Sequence, residues 1–197
     1  LAAPGEYSVS LSKEVNGVVT ELTGPVSFKV KPLRKGSLEG APYDETVAFW
    51  KELGEIQRAA GALSISLNEA QNKVKLMETS LRRASFEPGA LNTQLHNLKM
   101  QLTTIETQLN GRSSKNEVGE KNLPTIRHRL RAASMGTANS TYGPTPTHRR
   151  SLEIAREEFK PLKTELEKIS EQEIPALMKK LFEAGAPWLE GMPVPEE

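Results

Sequence analysis

The sequence predicts a mainly α-helical protein, an antiparallel bundle of three or four long heptad-patterned helices with an N-terminal β-hairpin. Three observations carry this expectation. Apolar residues recur three and four apart through most of the chain between Trp50 and Leu181, the period of one helix face. Residues 5–33 alternate apolar and polar instead, the period of a half-covered strand. Hydrophobic residues make up 37% of the chain but aromatics only 5%, and a Leu-rich, aromatic-poor core suits helices packing on helices.

The chain divides into a hairpin (1–33), a linker (34–43), a helical bundle (44–185) and an extended tail (186–197). In the hairpin, Tyr7, Val9 and Leu11 alternate with serines, and Asn16-Gly17 is a strong two-residue turn signal. A type I′ turn needs positive φ at both central positions, which Asn and Gly tolerate. The return strand runs from Val18 to Val30, with Gly24-Pro25 expected to form a bulge or an edge because Pro cannot donate to the ladder. An isolated hairpin is marginal in water. These strands are therefore expected to be the last two of a β-domain that begins before Leu1, leaning here on the bundle.

After the Gly/Pro linker, Asp44 is the expected N-cap of a long first helix. Its stripe is Trp50, Leu53, Ala60, Leu63, Leu67, Ala70, Val74, Met77 and Leu81. At about 1.5 Å per residue this helix would be roughly 60 Å long. Gly54 and Gly61 sit inside it at a cost of about 1 kcal/mol each, which suggests close approach by a neighbour such as the hairpin. A second helix opens at Pro88-Gly89, carries Leu91, Leu95, Leu98, Leu102, Ile105 and Leu109, and ends at Asn110-Gly111 with glycine at the C-cap. A short third helix is expected from Pro124, burying Ile126, Leu130 and Ala133 and stopping at Gly136.

The fourth helix should be capped by Thr147 and bury Leu152, Ala155, Phe159, Leu162, Leu166, Ile169, Leu177 and Leu181. Pro161 and Pro175 each remove an internal hydrogen bond and should kink or break it. Beyond Gly185, Trp188 and Leu189 could anchor the Pro-rich tail. In the simplest packing the first and fourth helices are long partners. If the third helix continues the direction of the second, the result is three rods with a broken middle one. If it reverses, the result is an uneven four-helix bundle.

Cysteine is absent, which excludes disulfides, thiolate metal sites and a cysteine nucleophile. No apolar run approaches the roughly 20 residues that span a bilayer. The chain opens on Leu1 rather than Met, as a processed or excised piece would, so a missing signal peptide does not argue for the cytoplasm. His96, His128 and His148 have no metal-ligand spacing, and G-x-S-x-G, Walker A and G-x-G-x-x-G patterns are absent. Glycosidases need two carboxylates about 5 to 9.5 Å apart across a cleft, which a slender bundle does not offer. No catalytic residue, cofactor or metal is therefore expected.

Net charge is +1, but it is unevenly spread: Lys121 to Leu152 holds six Lys or Arg and no acidic residue. Arg127, Arg129, Arg131, Arg149 and Arg150 are the best candidates for an interaction surface. They could take an anionic polymer, although such a run is more often a solvated face balanced by acidic neighbours. Nucleic acid is not the expected partner, because Tyr142 is the sole aromatic among them. Asn139-Ser140-Thr141 fits a glycosylation pattern but reads as loop sequence.

The segments PGEYSVSL and NGVVTELTGPVSFKVKPL resemble the final hairpin of the Ig-like module in bacterial sortilin-type β-propeller proteins. These are often labelled BNR-repeat or sialidase-like glycosyl hydrolases. LSISLNEAQNKV, NLPTIRHRL, YGPTPTHRRSLEIAREEF and EIPALMKKL follow in the order of that family's C-terminal helical region. The resemblance implies an extracytoplasmic bacterial protein, periplasmic or secreted, whose propeller lies upstream in the same polypeptide. It makes this chain a non-catalytic accessory or interaction domain, with any glycoside hydrolase site upstream. A homodimer, through the exposed hairpin edge or a residual heptad seam, is compatible with this role.

Overall fold

A computed structural model describes residues 2–33, 39–121 and 123–194. The protein is mainly helical, with an N-terminal antiparallel hairpin. Strands β1 (Gly5–Val15) and β2 (Val18–Val30) pair directly. Asn16 and Gly17 take φ of 52° and 78°, as a type I′ turn requires. The register slips between Val9 and Leu11 and again between Leu11 and Ser12, so β2 carries an extra residue at Gly24-Pro25 and another at Leu22. Of the bulge or edge expected at Gly24-Pro25, the bulge is what forms, and it holds the proline.

The hairpin does not lean on the bundle. Every strand residue from Glu6 to Lys29 is exposed. Tyr7 pairs with Phe28 and Val9 with Val26, and the two rings stack with centroids 6.0 Å apart. At this end of the ribbon one face is therefore apolar and the other polar. The apolar face is open to solvent because the helices bury their stripes on one another.

Helix α1 (Tyr43–Arg82) is a single rod of 40 residues. Every expected stripe position is buried except Trp50, which Phe49 replaces; Phe49 stands four residues before Leu53, on the core side. Asp44 is not the cap. The helix starts at Tyr43, two residues earlier than that cap would place it, after Pro42 and without a side-chain cap, and Asp44 lies in the first turn, where its charge still favours the helix dipole. Linker positions 34–38 fall outside the described residues. The linker's end is docked, with the Ala41 N–H donating to the Tyr142 carbonyl at 2.8 Å.

Helix α2 (Gly89–Asn110) buries Leu95, Leu98, Leu102, Ile105 and Leu109. It ends at Gly111, whose φ of 87° and ψ of −179° lie in a region open essentially to glycine alone. A five-residue helix, α3 (Ser113–Glu117), follows. Helix α4 (Ile126–Ala138) begins two residues later than expected, since Thr125 caps it by accepting from the His128 N–H. Gly136 does not stop α4. It lies within it, because the His148 ring occupies the space a Cβ there would need.

Helix α5 (Pro146–Lys168) is capped by Thr145 rather than Thr147. His148 completes a reciprocal capping box, with Nδ1 accepting from the Thr145 N–H at 3.2 Å. The helix continues unbroken through Pro161, and Pro175 does not break it either. A π-helical turn at Ile169–Glu173 leads directly into α6 (Ile174–Glu183). There the Ile174 N–H reaches back five residues to Ile169, and Pro175 falls in the first turn of α6, where its missing donor costs little. The buried Ser170 hydroxyl in this turn has no hydrogen-bond partner among the described residues.

Cross-rod contacts fix the topology. Down the middle rod, Lys99 pairs with Glu78, Arg127 donates to Ser64, and Tyr142 accepts from Ala41. Helix α4 therefore continues the direction of α2, and the molecule is three rods with a broken middle one. Up the last rod, Arg149 pairs with Glu45, Arg156 with Glu52, and the Ser80 hydroxyl donates to the Pro187 carbonyl. Consecutive rods are antiparallel, and the first and last run parallel, as an odd number of rods requires. Leu67, Met77, Leu109 and Ile169 are fully buried between them, each contributing about 1.5–3 kcal/mol. The tail folds back rather than extending: Ala186 and Met192 are buried, while Trp188 is half exposed and its indole N–H donates to the Met192 and Pro193 carbonyls.

Candidate functional site

The basic run of the sequence becomes α4, the loop after it and the start of α5. Its five arginines do not form one surface. Helical spacing puts Arg129 on a different side of α4 from Arg127 and Arg131, and there it pairs with Glu158 at 3.2 Å. Arg149 pairs with Glu45 at 2.9 Å and Arg150 with Glu153 at 2.7 Å. The hydrogen bond from Arg150 to Glu153, and then that carboxylate's charge, hold the guanidinium above its ordinary value. For these three, the run is balanced by acidic neighbours.

Arg127 and Arg131, four residues apart, line a groove of about 540 Å³ between α1 and α4, at the point where the middle rod is broken. Its wall on α1 includes Gln57, Ala60 and Gly61, and Asn110 closes one end. Among the described residues, no acidic one lines it. Arg127 donates one N–H to the Ser64 hydroxyl at 2.8 Å, and Arg131 Nε lies 3.3 Å from the Met135 sulfur. A guanidinium carries five donors, so most of both forks remain available.

Gly54 and Gly61 do not permit the close approach expected of them. A Cβ at either position meets nothing within 4 Å. The space beside Gly61 is instead part of the groove. Sequence reading missed Gly61, Gln57 and Asn110 as groove residues, since they meet only when α4 is laid against α1.

A smaller cleft of about 220 Å³ between α1 and α5 holds Glu45, Glu52 and Glu153. Those carboxylates are engaged by Arg149, Arg156 and Arg150, so they offer no free acid–base pair. The three histidines lie apart: His96 and His128 are exposed, and His148 serves the α5 cap. Among the described residues no group of His, Cys, Asp and Glu is placed to hold a metal ion, and no helix is long and apolar enough to cross a membrane. The Tyr142 ring is half exposed, and its backbone holds the linker.

No family model, curated protein or solved structure matches this chain.

Proposed function

We propose that this chain is a non-catalytic accessory domain of an extracytoplasmic β-propeller protein, serving assembly or interaction. One observation carries the reading. The helices close a core of their own, while the hairpin leaves Val9, Leu11, Val26 and Phe28 between 48% and 59% exposed on a single face. A two-stranded ribbon with one bare apolar face is a piece of a larger β structure, or is covered by a partner. The order of motifs from PGEYSVSL to EIPALMKKL supports placing that β structure in an Ig-like module beside a propeller. The carboxylates of the α1–α5 cleft, Glu45, Glu52 and Glu153, are each paired with an arginine, which supports leaving any hydrolysis to the propeller.

The test compares the full-length parent with a version lacking Asp44–Glu197. Unchanged glycoside hydrolysis together with altered assembly on size-exclusion light scattering is the expected result. Loss of hydrolysis with the propeller still folded would sink the non-catalytic reading.

A further inference from the structure

The groove at the break in the middle rod has features that an accessory role does not require. The chain holds nearly as many acidic residues as basic ones, 25 against 26, so carboxylates are not scarce. Arg129, Arg149 and Arg150 each have one. Arg127 and Arg131 have none among the described residues, yet they project from adjacent turns of one helix face into the same concave surface. Guanidinium groups without a carboxylate partner make this groove wall positive, and an anion bound there neutralises that charge. The opposite wall is glycine, alanine and the uncharged amide of Gln57, which leaves room for a ligand and brings no carboxylate to compete with it.

We propose that this groove binds a small oxyanion-bearing molecule, with Arg127 and Arg131 as its principal contacts. The planar guanidinium fork matches carboxylate and phosphate alike. Groove volume favours a small molecule over a polymer, and so does the diversion of the other three arginines into ion pairs. A nucleic-acid backbone would require a continuous cationic track, which those pairs interrupt.

The intact chain is titrated with inorganic pyrophosphate and, separately, with citrate, at low salt. Heat of binding and backbone amide shifts are followed together. Saturable binding at about 1 mM or tighter is expected for at least one of them, with shifts concentrated in residues 57–64 and 125–135. Pyrophosphate alone assigns a phosphoryl ligand, and citrate alone a carboxylate ligand. The Arg127→Gln/Arg131→Gln variant should lose about tenfold or more in affinity with its melting transition in place. Gly61→Glu should do the same by placing a carboxylate in the open space of the groove, while Gly54→Glu, the same change one heptad away, should not. Arg150→Gln should bind like the parent. The proposal is overturned if neither anion saturates the protein, if the paired arginine variant binds normally, or if Arg150→Gln loses as much. Short duplex DNA binding more tightly than both anions through the same two arginines would also overturn it, in favour of a polymer.

Discussion

At the scale of single residues, glycines and prolines show most clearly how context decides an energetic effect. Gly54 and Gly136 both lie inside helices, where glycine costs about 1 kcal/mol against alanine. Their surroundings differ: a Cβ at Gly54 meets open space, and one at Gly136 meets the His148 ring. Gly54→Ala should therefore stabilise the protein by about 0.5–1 kcal/mol. Gly136→Ala should destabilise it by about 1–3 kcal/mol through overpacking, and it should also loosen the capping box that His148 makes with Thr145. Chemical denaturation of the two variants checks both signs, and equal shifts would show that the His148 contact is unimportant. Nothing in the sequence near Gly136 announces His148, because the two residues come together only after the chain reverses at the loop following α4.

Among the elements, the last rod carries the most instructive departure. Its two prolines were both expected to interrupt it, and the chain accommodates each differently. Near Pro175 the ladder widens into a π-turn, and the helix resumes with the proline in its first turn. At Pro161 there is no such device, and α5 continues past a missing donor on its exposed face. Pro161→Ala restores that bond without touching the core and should stabilise the protein by up to about 3 kcal/mol. A melting temperature that does not rise would mean the carbonyl one turn back is already satisfied by water at no cost. Lys168 and Glu173 bridge the π-turn at 2.8 Å, and the hydrogen bond to that carboxylate raises the lysine's pKa. The lysine is exposed and the glutamate only partly covered, so removal of the pair should matter little. The apolar periods of all three rods were readable in advance because each stripe is a local consequence of 3.6 residues per turn. The helix starts differ from expectation by two residues, since several neighbouring residues can serve as the first turn and only backbone geometry selects among them.

On the scale of the whole molecule, the hairpin and the bundle are energetically separate. No strand residue contributes to the helical core, so removing residues 2–33 should leave the thermal transition of the bundle unchanged within about 0.5 kcal/mol. Calorimetry of the shortened chain makes that check. A marked loss of stability would place the hairpin against the helices after all. The same separation bears on association. If the bare face of the hairpin drives dimerisation, light scattering should show a dimer for the full chain and a monomer once Val9 and Leu11 are both replaced by lysine. A strict monomer at high concentration would remove self-association from the proposed role.

By itself the sequence determined the elements: a ribbon with an Asn-Gly turn and a bulge at Gly24-Pro25, and helices whose buried faces follow from heptad spacing. These are local matters, settled by the period of apolar residues and the backbone freedom of a few glycines and prolines. Only the tertiary structure decided how the elements stand together. It chose three rods over four by laying α4 in line with α2, left the hairpin uncovered, and split the basic run into paired arginines and a groove. The reason is physical. Which faces meet depends on the relative direction of segments separated by dozens of residues, and an arginine's partner is whatever carboxylate that packing brings within reach.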